Sequence, residues 1–168
     1  MKLDKKDCMI LNLLQINCRM SLTEISRKVH LSVDSTKKRI NKMIDNRVFF
    51  PRIQLRPRNF GFTNIVDVKI KLQNTNEESV KNFIEYLKKH PKVVEIFLIS
   101  GECDLSIVIV AKDSIDLGKT TQEIRNKFGR IINSWNESLT VYSYKFEDYD
   151  MTKLMKYKNN NKGIIKDN

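Results

Sequence analysis

Residues 21–45 read SLTEISRKVHLSVDSTKKRINKMID, and the reading of this stretch decides the fold. It opens on Ser21-Leu-Thr-Glu24, a capping-box pattern: the Ser21 hydroxyl can accept from the backbone N–H three residues on, and Glu24 can reach back. Leu22, Ile25 and Val29 follow at helical spacing, which predicts a helix of about ten residues. His30-Leu31-Ser32 leaves room only for a turn. Ser32 then suits the N-cap of another helix through Asp45, with Val33, Thr36, Ile40, Met43 and Ile44 inward. At about 100° per residue the opposite face carries Asp34, Ser35, Lys38 and Lys42, flanked by Arg39 and Asn41. Two short helices joined by a tight turn, the second with a basic, hydrogen-bonding outer face, make the helix-turn-helix pattern. Such a face must neutralise phosphates and carry side chains to base edges in the major groove. An ordinary surface helix also exposes lysines. The capped first helix, the tight turn and the local charge together favour DNA.

Outward from this pair, Leu3, Ile10, Leu11 and Leu14 share one face of an earlier helix, which completes a three-helix head. After it, Pro51 and Pro57 exclude a helix over residues 46–62, where Val48, Phe50, Ile53 and Leu55 suit an extended segment. From residue 64 the period becomes two. Val66, Val68, Ile70 and Leu72 alternate with Asp67, Lys69 and Lys71, the pattern of a half-buried strand. Val80, Phe83, Ile84 and Leu87 mark an amphipathic helix that ends before Pro91. Residues 93–100 and 105–111 read as apolar strands joined by a hairpin at Gly101-Glu-Cys-Asp104. Leu117, Thr121, Ile124 and Phe128 repeat the helical spacing, and a last strand is expected over 139–146. The order is β-α-β-β-α-β, the ferredoxin-like arrangement of one sheet with two helices on one face. The fold class is therefore α+β: a three-helix DNA-binding domain (1–50), an extended linker (51–63), a ferredoxin-like regulatory and dimerisation domain (64–148) and a flexible basic tail (149–168). For the start of that tail, Met151 to Tyr157, a helix that docks on a neighbour is the alternative.

Charge follows the same division. The 168 residues carry 31 Lys+Arg and 20 Asp+Glu, a net +11. Residues 1–59 hold 14 cations against 5 acids, residues 60–150 hold 12 against 14, and residues 151–168 hold 5 against 1. A basic head and tail around a near-neutral middle point to a nucleic-acid-binding module joined to something else. Ile107 to Val110 place apolar side chains on both faces of a strand, and so do Ile96 to Ile99. The sheet face without helices is thus expected to pack against a second copy, giving a dimer that also matches paired DNA half-sites. Cys8, Cys18 and Cys103 are far apart and odd in number, which argues against a disulfide framework or a zinc site. No cofactor or metal is expected. The longest purely apolar run, 107–111, is far short of the ~20 residues that span a bilayer, and no apolar stretch follows the charged start as in a secretory signal. A cytoplasmic protein is expected.

These parts in this order resemble the Lrp/AsnC family of transcription regulators over roughly residues 3–146. The resemblance rests on Leu3-Asp4, Asp7 and Ile10-Leu11; on Leu22, Ile25 and Val29; and on Leu31-Ser32, Arg39-Ile40 and Met43. Phe60-Gly61-Phe62 is similar to the family's "LG(Y/F)", and Gly101 with Asp104 to its "TGxYD" hairpin. It implies a DNA-binding head and a regulatory domain, dimers that often assemble into tetramers or octamers, and an amino-acid effector close to the hairpin. Ser35, Lys37, Lys38, Arg39, Asn41 and Lys42 would then contact double-stranded DNA, and Gly101 and Asp104 would lie near the effector. Three positions depart from the pattern. His30 and Arg47 stand where the family usually has Gly, and Cys103 replaces a common aromatic.

Two other readings compete. An architectural DNA binder would compact DNA and sense nothing. An enzyme of similar build, related to the decarboxylases of sirohaem-type tetrapyrroles, would need histidines or arginines set against a substrate. The second half offers only His90, Arg125 and Arg130, far from any catalytic motif.

Overall fold

The computed structural model describes residues 1–160. Its contacts divide it into two units, Met1–Gln54 together with the chain from Tyr144 onward, and Leu55–Ser143. In the first unit, α1 (Lys5–Ile16), α2 (Leu22–Val29) and α3 (Val33–Asp45) enclose Ile10, Leu11, Ile25, Val29 and Met43. Each such buried side chain contributes roughly 1.5–3 kcal/mol relative to exposure. Ser21 accepts from the Glu24 N–H at 3.2 Å, the forward half of the expected capping box. The reciprocal box forms instead at α1, between Asp4 and Asp7.

His30 and Arg47 both take positive φ, 54° in each case. At the end of α2, His30 N–H donates to Arg27 O and Leu31 N–H to Ser26 O. At the end of α3, Arg47 N–H donates to Ile44 O and Val48 N–H to Met43 O. Both are Schellman caps, with a side-chain-bearing residue where glycine usually sits. Leu31 and Val48, the residues just after, turn back onto the core. The left-handed turns survive the loss of glycine because their hydrogen bonds and these anchors over-determine them.

The second unit holds β1 (Asn64–Leu72), α4 (Glu77–Lys89), β2 (Val93–Leu98), β3 (Leu105–Ala111), α5 (Ser114–Phe128) and β4 (Ile132–Leu139). The sheet order is β2-β3-β1-β4, every pair antiparallel, as the ferredoxin-like reading requires. Val66, Val68 and Ile70 of β1 and Leu105, Ile107 and Ile109 of β3 face Phe83 and Leu87 of α4 and Ile124 of α5.

Four expectations are corrected. The last strand is Ile132–Leu139 rather than 139–146. As an edge strand it pairs only with β1, so Ile132 and Trp135 suffice to hold it among polar residues. The apolar run after it leaves the sheet and exposes Val141. Pro57 does not exclude helix; it starts a single 3-10 turn, Pro57–Phe60, at the position where its missing N–H is harmless. The start of the tail, expected to be flexible with a helix over 151–157 as the alternative, takes the alternative and forms α6 (Met151–Asn160), whose Met151 packs on the first unit's core. Residues 161–168 of that tail lie outside the described residues. Finally, the open sheet face is less apolar than the strand sequence implies. Ile65, Phe97, Val108 and Val110 share it with Asp67, Lys69 and Ser106, whose side chains bond one another.

Candidate nucleic-acid interface and ligand groove

The N-cap of α3 is made by Ser32, whose Oγ accepts from the Ser35 N–H at 3.2 Å and lies 2.9 Å from the Ser35 hydroxyl. Thr36 is buried and donates to Ser32 O. With Thr36 and Met43 inward, Ser35, Lys37, Lys38, Asn41 and Lys42 all lie exposed on the far side. Among the described residues, the side chains of Lys37, Lys38, Asn41 and Lys42 make no hydrogen bond or ion pair within the chain. Five of the six residues read from the sequence are thus brought onto one accessible surface.

Arg39 is set apart from them. Its Nη1 donates to Asp4 Oδ2 at 2.7 Å and to Asp7 Oδ1 at 2.8 Å. Asp7 is only 3% exposed, so this contact neutralises a buried charge. Burial works to raise the Asp4 carboxyl, but hydrogen bonds from the Asp7 N–H and from Arg39 outweigh it and hold Asp4 below its ordinary value. The same pairs, Asp7 first, push the Arg39 guanidinium up. These carboxylates were missed as partners of α3. The only sign of them in the sequence is Asp-x-x-Asp at the start of the first helix.

At the β2–β3 hairpin, Gly101 is exposed and its φ of 129° requires glycine. Asp104 is a brace. Its Oδ2 accepts from the Leu72 N–H at 2.7 Å, its Oδ1 from Lys71 Nζ at 2.9 Å, and its N–H donates to Ile70 O. The Leu72 N–H first, then Lys71, holds the Asp104 carboxyl below its ordinary value. Both carboxylate oxygens are therefore occupied by the hairpin's own attachment to β1.

A groove of about 550 Å³ lies elsewhere in the same unit, between α5 and β4. Gly118, Thr121, Arg125, Asn133, Ser134 and Trp135 line it. The sequence reading passed over it because its residues come from two elements and form no local motif. Among the described residues, no group of three or more His, Cys, Asp or Glu could hold a metal ion. No helix among them is long and apolar enough to cross a membrane.

A helix-turn-helix head with a basic outer helix, followed by a ferredoxin-like unit, defines a class of DNA-binding regulators. Residues 3–44 match the family model of the AsnC-type helix-turn-helix domain, and residues 65–134 that of the Lrp/AsnC ligand binding domain. An HTH-type transcriptional regulator of Haemophilus influenzae is 31% identical over 66% of this chain and 67% of its own length. The regulator LrpA of Pyrococcus horikoshii is 28% identical over 77% of this chain and 88% of its own. A transcriptional regulator of Neisseria meningitidis, solved as a complex with L-Met, shares the fold with a TM-score of 0.82. It is 20% identical, covering 91% of this chain and 99% of that one. The chain belongs to the Lrp/AsnC family of transcription regulators, and it is a DNA-binding regulator.

Proposed function

We propose that this regulator reads duplex DNA as a homodimer through Ser35, Lys37, Lys38, Asn41 and Lys42 of α3, and that a small effector held by the second unit modulates it. The observation that carries the DNA reading is the clustering of three unengaged lysines on the exposed face of α3, while Arg39 is drawn inward. Phosphate contacts position the protein, and Ser35 and Asn41 supply hydrogen-bonding groups able to reach base edges. Arg39 is assigned to holding α3 against α1 rather than to DNA.

Dimerisation is assigned to the open sheet face, where Ile65, Phe97 and Val108 would be covered by their copies. Assembly of dimers into tetramers or octamers follows the family pattern. Gly101 and Asp104 are assigned to the hairpin's architecture, and the effector to the groove between α5 and β4. The activity is regulatory rather than enzymatic and is exercised on cytoplasmic DNA. Footprinting on the protein's own promoter region tests this reading. The expected result is protection repeating at the helical turn, with affinity well above that for unrelated DNA. Uniform affinity across sequences at physiological salt would leave only a compacting role.

A further inference from the structure

We infer that the groove between α5 and β4 takes a small organic acid that carries a carboxylate but no ammonium group, such as a 2-oxo acid, anchored by Arg125. This rests on the reading of the second unit as the sensory one and names the class of its ligand.

The groove has one formal charge. Arg125 lines it and, among the described residues, makes no ion pair or hydrogen bond within the chain. The remaining polar lining is neutral: Gln122, Asn126, Asn133, Ser134 and Thr121. A carboxylate placed there meets a planar guanidinium suited to bidentate bonding. An ammonium meets no charge to answer it. The acids nearest along the chain are not in the lining, and each already accepts a hydrogen bond. Glu123 accepts from the Tyr86 hydroxyl at 2.7 Å, and Glu137 accepts from Trp135 Nε1 at 2.7 Å. Two carbonyls at the end of α5 are used as well, Phe128 O by the Ile131 N–H and Gly129 O by the Ile132 N–H. Ile132 and Trp135 form an apolar wall for a carbon skeleton, and the amides and hydroxyls suit a neutral carbonyl or hydroxyl.

Gly118 is a second, independent observation. It sits inside α5, where glycine is the poorest residue but proline. A Cβ built on it meets nothing within 4 Å. The chain's own packing therefore gives no reason for glycine here, and the space it leaves opens into the groove. A ligand filling that space supplies the reason.

The test uses the full chain in calorimetric titrations with matched pairs that differ only at the amine: pyruvate and alanine, 4-methyl-2-oxopentanoate and leucine, phenylpyruvate and phenylalanine. At least one oxo acid is expected to bind tenfold or more tighter than its amino acid. Arg125→Gln, with its fold checked by circular dichroism, should lose that binding tenfold or more. Gly118→Ala should raise the melting temperature of the ligand-free protein while weakening the acid. Amino acids binding as well as their oxo acids, an acid indifferent to Arg125→Gln, or no binding by any oxo acid each overturns the proposal. A change of assembly size in ligand-free Gly118→Ala also overturns it, because the space would then belong to a second copy. Gel shifts report separately on the sensory reading: an acid that binds without altering DNA affinity would sink that reading and leave the ligand class standing.

Discussion

Two cations in the same helix show how residue type and residue role come apart. Lys38 and Arg39 are adjacent, and both belong to the basic outer surface by helical geometry. Lys38 stays exposed, whereas Arg39 swings to Asp4 and Asp7, 35 and 32 residues away. Arg39→Met should therefore destabilise the protein by about 3 kcal/mol in urea unfolding, because it strands the buried Asp7 carboxylate. Lys38→Ala should leave stability within about 0.5 kcal/mol of the parent and weaken DNA binding instead. The depressed Asp4 carboxyl adds a pH signature. Its contribution is fully present above the ordinary value of 3.8 and is lost as pH falls through its lower folded value. Arg39→Met should flatten that acid limb of the stability curve. The left-handed caps give a second residue-scale prediction. A side chain in this conformation costs roughly 1–2 kcal/mol, and glycine's extra chain entropy costs roughly 0.5–1 kcal/mol. His30→Gly and Arg47→Gly should each stabilise by about 0.5 kcal/mol, read as a rise in the denaturation midpoint at constant slope. The need for special backbone at 30 and 47 was legible from the family's glycines at those positions. The inward turn of Arg39 was not, because a sequence shows which residues carry charge and not which distant carboxylate meets it.

At the scale of elements, legibility tracked burial. The core strands β1 and β3 announced themselves by alternation or by a continuous apolar run, since their side chains fill the space under α4 and α5. The edge strand β4 has one neighbour and a polar outer side, so its signal was weaker than that of the exposed run following it. Likewise α6 was legible only as the alternative to a flexible tail. Apart from Met151 on the core, its hold on α1 is polar: Asn12 Oδ1 accepts from the Met151 N–H, Gln15 Oε1 from the Tyr149 N–H, and Asn12 Nδ2 donates to Asp150 Oδ1. None of these contacts leaves a hydrophobic period to read. Asp150 caps the helix by accepting from the Thr152 hydroxyl and the Lys153 N–H, and these bonds, Thr152 first, hold its carboxyl well below the usual range. Asn12→Ala should remove three hydrogen bonds to the α6 segment, those with Asp150, Met151 and Thr152, and cost about 1–2 kcal/mol. Hydrogen exchange should then show faster opening of α6 while α2 and α3 keep their protection. Because the folded Asp150 carboxyl is depressed, its support of α6 is present at neutral pH. It is lost only as pH falls below the ordinary value near 3.8. Acid should therefore release α6 in the parent as Asn12→Ala does at pH 7.

For the molecule as a whole, the +11 net charge is less informative than its division between a basic head and a middle of 12 cations and 14 acids. Two consequences can be separated by salt. Removing Lys37, Lys38 and Lys42 together deletes three phosphate contacts in each protomer, hence six in a dimer. Each contact contributes about −0.9 to the slope of log K against log salt concentration, so the slope should flatten by about 5. A monomeric reader would lose about half of that, which makes the slope a count of reading heads as well as of contacts. Phe97→Asp, on the open sheet face and 51% exposed in the single chain, complements it. Placed in a contact between copies, the new carboxylate would be desolvated against its own symmetry mate, and the dimer should dissociate in light scattering without loss of fold. The variant carries every lysine of α3, yet its salt slope should fall to that of one head. A slope unchanged by Phe97→Asp, together with unchanged mass, would remove the sheet face from the assembly and leave the head to be paired by other contacts.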